Sequence, residues 1–111
     1  MTSILHNVEH GVMTLTIHRV DKKNALTADM YAALADALTK ASESSDVRVV
    51  LFQGHETVFS AGNDIADFLQ QPPATADSPV SRFLRGIAVF PKPLLASVCG
   101  PAVGVGTTML F

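Results

Sequence analysis

The amino-acid sequence predicts an α/β fold of alternating strands and helices. Residues 49–52 are four consecutive apolar residues, the pattern of a strand that is covered on both faces, and residues 94–99 are predicted to form a second buried strand. Each run is preceded by a segment whose apolar residues recur at three- and four-residue spacing, which is typical of a helix. Strands that alternate with helices pair in parallel through right-handed crossovers, so we expect a parallel sheet covered by helices.

The first predicted element is a β-hairpin. Residues 3–8 and 12–18 form two short runs on either side of a turn, and the second run alternates apolar with polar residues imperfectly. A charged loop over 19–26 follows. Thr27 then offers an N-cap and Asp29 an acidic first turn. We expect a helix from here, with a buried face that ends before the polar break at 42–45.

A buried, parallel strand is predicted over 47–52. It leads through a loop of small residues, 59–64, into a short helix for which Asn63 or Asp64 is the expected N-cap. The polar and proline-rich stretch 70–78 is expected to be a mobile connection.

A second long helix is predicted over 80–88, and the two prolines that follow it end it. The second buried strand, 94–99, turns at a Gly-Pro pair into residues 102–106, where another helix is expected to begin. No repeat at a fixed period and no second domain are evident in the sequence.

Composition indicates part of a larger body. Apolar residues make up 48% of the 111 residues and charged residues only 16%, which is rich in core material for a finished small domain. We therefore expect much of the apolar surface to meet a further part of the chain or another subunit. The formal net charge of −2 gives no electrostatic reason to expect nucleic acid or an anionic membrane as a partner.

The cysteine count and the apolar stretches bear on location. Cys99 is the only cysteine, so no intrachain disulfide can form, and a reducing compartment is the simplest expectation. The first residues lack the pattern of a signal peptide, and no apolar run reaches the length that spans a membrane. The sequence thus favours a cytoplasmic protein.

Two loops are the best candidates for chemistry. Residues 60–64 and 104–106 each follow a predicted interior strand and lead into a helix. Ligands of open α/β sheets bind at the carboxyl ends of parallel strands, and small residues let them approach the backbone closely. Free N–H groups at two helix starts are able to face one oxygen together, which would make an oxyanion hole.

Three segments, 17–26, 59–65 and 91–106, resemble three successive signatures of the crotonase family, which includes enoyl-CoA hydratases and isomerases. The resemblance implies a spiral of ββα turns, of which residues 1–111 would be the incomplete N-terminal portion of a single domain. It also implies an acyl-CoA substrate and a full-length parent that assembles as trimers or trimer pairs.

The resemblance also implies the site residues. The thioester carbonyl would lie between the backbone N–H groups of Asn63 and Val105, the latter in place of the family's more usual glycine. Coenzyme A would enter as part of the substrate and not as a separate cofactor. The substrate-binding residues implied are Lys23, Asn24, Ala25, Leu26, Ser60, Ala61, Gly62, Asn63, Asp64, Ile65, Gly104 and Thr108.

A basic turn accompanies these positions. Arg19, Lys22 and Lys23 are candidates to meet the phosphates of coenzyme A, and a solvated basic turn explains them equally well.

Departures from the family pattern point to a branch. Hydratases of the family carry a glutamate where Thr108 stands, and a hydroxyl is too weak a base to activate water. The chain therefore resembles the Δ3,Δ2-enoyl-CoA isomerase branch more than the hydratases, and the catalytic carboxylate of that branch would lie beyond Phe111. Asp64 is expected to cap a helix and not to act as the base. A non-catalytic, truncated acyl-CoA-binding fragment and a hydratase-like parent are the alternatives.

Other sites are disfavoured. A dinucleotide fingerprint would need a small residue where Met109 stands. The four histidines lack metal-ligand spacing with one another or with Cys99, which is expected in the core. No metal site is predicted.

Overall fold

The computed structural model of the protein describes residues 4–55, 58–62, 64, 78–98, 102 and 109. They form a four-stranded sheet in the order β1, β2, β3, β4, with β1 over Ile4–Glu9, β2 over Val12–Ile17, β3 over Val49–Gln53 and β4 over Leu94–Ser97. β1 and β2 are antiparallel, which confirms the hairpin, while β2, β3 and β4 run parallel. The predicted α/β architecture with parallel inner strands is confirmed.

The first helix, α1, spans Ala28–Glu43. It begins where predicted, because the Thr27 hydroxyl oxygen accepts a hydrogen bond from the Met30 N–H at 3.2 Å and so satisfies a backbone donor that has no partner inside the helix. A short 3-10 turn, Val20–Lys22, precedes it in the charged loop.

The second described helix, α2, spans Pro79–Val89. Ser78 is its N-cap and accepts from the Ser81 N–H at 3.3 Å, and Pro79 suits the first turn because that position needs no N–H donor. The helix ends just before the prolines that were expected to end it. Both helices lie over the sheet and pack against each other.

The core lies between the sheet and these helices. Tyr31 of α1 and Phe83 of α2 are both buried, with their ring centroids 5.6 Å apart, and Phe52 of β3 meets Phe83 edge to face at 6.2 Å. Burial raises the pKa of the Tyr31 phenol, so this side chain stays neutral. The apolar spacing of α1 therefore predicted its buried face, whereas in α2 Phe83 alone is buried and Ala88, which has the same spacing, is exposed.

Lys92 joins the C-terminal end of α1 to the turn before β4. Its ammonium donates to the carbonyl oxygens of Ala41, Ser44 and Val47 at 2.6, 2.7 and 2.7 Å. The last carbonyls of a helix have no partner inside it, and a cation also complements the negative end of the helix dipole. One side chain thus holds the end of α1 and the segment that leads into β3.

The burial of the two apolar strands differs from the prediction. In β3 one face is buried and the other is half-buried, whereas Leu95 to Val98 are exposed, Leu95 by 57% and Val98 by 42%. The prediction that 94–99 is a buried strand is wrong for the described residues. Among the described strands β4 pairs only with β3, so it lies at the edge of the sheet.

Some predicted elements lie outside the described residues. They are the short helix after Asn63, the connection up to residue 77, and the helix expected over 102–106. Within the described part of the chain, neither helix is long and apolar enough to cross a membrane.

Candidate functional site

Two segments, 19–26 and 58–64, lie side by side and are joined by backbone hydrogen bonds. We call the first the basic loop and the second the small-residue loop. The Leu26 N–H donates to the Gly62 carbonyl at 2.7 Å, and the Asp64 N–H donates to the Leu26 carbonyl at 2.8 Å. Farther along, the Ala61 N–H donates to the Lys23 carbonyl at 3.1 Å. The two loops are therefore joined at three points along their backbones.

Asn24 joins the basic loop to the first residues of the small-residue loop. Its side chain is fully buried, and its Oδ1 accepts from the Arg19 N–H at 2.7 Å. The side-chain amide donates to the carbonyls of Val58 at 3.4 Å and Phe59 at 3.2 Å. The backbone of Asn24 has φ +57°, a left-handed conformation that asparagine tolerates better than most residues. Asparagine thus meets both the conformational and the hydrogen-bonding demands of this position.

Ser60 makes the matching contact from the small-residue loop. Its buried hydroxyl donates to the Asn24 carbonyl at 3.0 Å and accepts from the Gly62 N–H at 3.1 Å. Gly62 has φ +89°, where a side chain would be strained. The small residues of this loop are therefore needed for its turn as well as for close approach of a ligand.

An ion pair joins the first residue of the basic loop to the last residue of the small-residue loop. Arg19 Nη1 lies 2.6 Å from Asp64 Oδ2, and the two side chains are only 22% and 16% exposed. The same nitrogen also donates to the Ala25 carbonyl at 3.1 Å. Nη1 of Arg19 therefore has two partners inside the protein, which favours an internal role over the expected contact with a ligand phosphate. Lys22 and Lys23 of the same loop are exposed.

The small-residue loop also touches the segment after β4. Ser60 and Ala102 form a parallel bridge, which brings together the chain after β3 and the chain after β4. The turn before Ser60 is tight, since a Cβ on Gly54 would come within 2.6 Å of the Phe59 carbonyl oxygen. The carboxyl ends of two parallel strands thus meet at one place, as expected for a ligand site of an α/β sheet.

The structure brings together eight of the predicted site residues in this cluster: Lys23, Asn24, Ala25, Leu26, Ser60, Ala61, Gly62 and Asp64. The remaining ones, Asn63, Ile65, Gly104, Val105 and Thr108, lie outside the described residues. Sequence reasoning expected the Asp64 carboxylate to cap a helix, and the structure shows it paired with Arg19. Among the described residues, no group of three or more His, Cys, Asp or Glu side chains is placed to hold a metal.

Comparison with protein families and relatives gives consistent matches. A sequence model of the enoyl-CoA hydratase/isomerase family matches residues 7–111. The chain is 36% identical over 116 residues to the 1,2-epoxyphenylacetyl-CoA isomerase of Escherichia coli, covering 98% of this chain and 44% of that enzyme. It is 38% identical over 113 residues to enoyl-CoA delta isomerase 2 of Rattus norvegicus, covering 96% of this chain and 29% of that enzyme.

A solved structure shares the fold. OdaA of Pseudomonas aeruginosa superposes with a TM-score of 0.94 at 51% identity, covering 98% of this chain and 44% of that one. The chain thus spans less than half the length of these relatives.

Proposed function

The chain belongs to the enoyl-CoA hydratase/isomerase family, with the crotonase fold, and on that premise we propose that it binds an acyl-CoA thioester and stabilises negative charge on the thioester oxygen. The bridge between Ser60 and Ala102 is the observation that carries this proposal. It joins the two loops that have to act together if one oxygen is to receive a hydrogen bond from each.

The proposed donors are the backbone N–H groups of Asn63 and Val105. Each lies three positions beyond one member of the Ser60–Ala102 bridge, so both donors belong to segments that start where the chain meets itself. Leu26 supports this, because it holds both chain neighbours of residue 63: its N–H donates to the Gly62 carbonyl and its carbonyl accepts from the Asp64 N–H. A side chain on Val105 leaves its N–H in place and narrows the hole.

Coenzyme A is proposed to lie along the basic loop. Lys22 and Lys23 are the exposed cations there, and they suit the phosphates of a coenzyme A moiety as point charges. Arg19 has no part in this contact, because it is held by Asp64 and Ala25. The adenine would be bound chiefly by backbone groups of the two loops.

The proposed reaction moves the double bond of a 3-enoyl-CoA to the 2 position. A carboxylate takes a proton from C2, the negative charge of the dienolate passes to the thioester oxygen, and the same carboxylate returns the proton at C4. The similarity to enoyl-CoA delta isomerase 2 of Rattus norvegicus supports this choice. Asp64 is not the base in this scheme, because its Oδ2 is already bound by the Arg19 guanidinium at 2.6 Å. We assign the base to a carboxylate outside these 111 residues.

We propose further that residues 1–111 are the N-terminal portion of one crotonase-like domain in a cytoplasmic protein that assembles as trimers or trimer pairs. The relatives are more than twice as long as this chain, since it covers 44% and 29% of two of them. The exposed apolar residues of β4 offer a surface for the rest of such a domain to cover.

Replacing Thr108 with alanine tests isomerase against hydratase. If Thr108 only lines the pocket, Thr108→Ala lowers the rate of 3-enoyl to 2-enoyl conversion by well under the ~100-fold expected for the loss of a general base. The assay uses the protein at its natural length, with hydration of a 2-enoyl-CoA measured in parallel. Should hydration be the faster reaction and collapse in Thr108→Ala, the isomerase assignment is wrong.

A further inference from the structure

We propose that Arg19 is a positioning residue for the proposed oxyanion hole. Through its ion pair with Asp64 it fixes the small-residue loop on the basic loop, so that the loop proposed to hold coenzyme A also sets the place of the Asn63 N–H. This inference rests on the proposed function. It assigns Arg19 and Asp64 a role in the chemistry without contact to the substrate.

The contacts on both sides of residue 63 support this role. On the N-terminal side, the Gly62 carbonyl accepts a hydrogen bond from the Leu26 N–H, and the Gly62 N–H donates to the Ser60 hydroxyl. On the C-terminal side, Asp64 is held by the Leu26 carbonyl and by Arg19. Both neighbours of residue 63 are thus anchored to the basic loop, and Arg19 supplies the only ionic anchor that the described residues show there.

The geometry of the pair suits positioning better than ligand binding. Both side chains are mostly buried, so the attraction is screened less than in an exposed ion pair such as Arg82–Asp36, whose side chains are 40% and 68% exposed. The second bond of Arg19, to the Ala25 carbonyl, ties the guanidinium to the basic loop itself. A lysine has one compact ammonium in place of this planar group and reproduces the arrangement only in part.

The expected consequence is a loss of rate without a loss of coenzyme A affinity. A displacement of about 1 Å at a reacting group is able to lower the reaction rate ~100-fold, so a loosened loop should lower kcat severely. We expect Arg19→Gln to lower kcat at least ~10-fold and to weaken binding of free coenzyme A by less than ~3-fold. Free coenzyme A lacks the thioester carbonyl, so its binding does not depend on the oxyanion hole.

The experiment compares Arg19→Gln, Asp64→Asn, the double variant and Arg19→Lys in the natural-length protein. Arg82→Gln is the control, because it removes an exposed ion pair that joins α2 to Asp36 of α1. Each variant is checked for folding, and kcat and the dissociation constants of acyl-CoA and free coenzyme A are measured. We expect the double variant to be no slower than the single ones, Arg19→Lys to recover part of kcat, and the control to match the wild type.

Several outcomes would overturn the proposal. One is an unchanged kcat in folded Arg19→Gln. Another is an equal loss of affinity for free coenzyme A and acyl-CoA, which would make Arg19 a phosphate ligand. If Arg19→Gln does not fold, the kcat and affinities of Asp64→Asn test the proposal by the same criteria. If neither variant folds, the ion pair has a purely structural role and the proposal is wrong. A wild-type protein with no preference for acyl-CoA over free coenzyme A would instead contradict the proposed function.

Discussion

Replacing Asn63 with proline is expected to lower the rate of 3-enoyl to 2-enoyl conversion by ~100-fold or more, whereas Asn63→Ala is tolerated. The proposed donor is the backbone N–H, which alanine keeps and proline lacks. Removing one donor from an oxyanion hole costs roughly 3–4 kcal/mol of barrier, because charge on the oxygen then develops with only one partner. Rates of both variants, measured at the natural length of the protein, give the comparison.

A control is needed because proline also restricts the backbone of the loop. Affinity for free coenzyme A serves this purpose, since the basic loop is proposed to hold coenzyme A whether or not the donor is present. A proline variant that keeps this affinity and loses rate supports the assignment. An alanine variant as slow as the proline variant would show that the Asn63 side chain, and not its N–H, carries the effect.

Replacing Lys92 with methionine is expected to lower the free energy of unfolding by about 3 kcal/mol. Methionine keeps the apolar stem and removes the ammonium that donates to the carbonyls of Ala41, Ser44 and Val47. Hydrogen bonds to a charged group contribute roughly 1.5–3 kcal/mol each, and water that reaches these half-buried groups recovers part of the total.

Lys40→Met is the matched control for this prediction. Lys40 is an exposed lysine in the last turn of the same helix, so its loss is expected to cost less than about 1 kcal/mol, from the helix dipole alone. Denaturant unfolding of both variants gives the two free energies. Equal losses would mean that the three short contacts of Lys92 contribute nothing beyond a general charge effect.

Most of the secondary structure followed from local signals. Thr27 caps α1 as predicted, because an N-cap acts on a donor three residues away. The start of α2 at Pro79 lay one residue earlier than the apolar spacing indicated, since the cap comes from Ser78. Exposure of β4 was not predictable in the same way. An apolar run indicates that a strand is compatible with burial. Whether the strand is buried depends on elements that are distant in the chain and pack against it.

The contacts between the basic loop and the small-residue loop were not predictable from the sequence. Signatures of the family identified both loops, and Asn24 and Ser60 among their residues. The ion pair of Arg19 with Asp64 joins residues 45 positions apart, and no local pattern links them. Lys92 likewise reaches carbonyls 45 to 51 positions away. Such contacts are decided by how the loops and helices pack, so a sequence pattern indicates neither partner.

The stretching frequency of the thioester carbonyl tests the central claim most directly. Acyl-CoA labelled with ¹³C at the carbonyl would be bound to the natural-length protein and its carbonyl band followed by difference infrared spectroscopy. A separate binding titration with NAD serves as the comparison. Two N–H donors at the oxygen weaken the C=O bond, so we predict a lower frequency in the bound state, a smaller shift in Asn63→Pro, and no NAD binding. Bound acyl-CoA with an unshifted carbonyl, or tight NAD binding without acyl-CoA binding, would contradict the account.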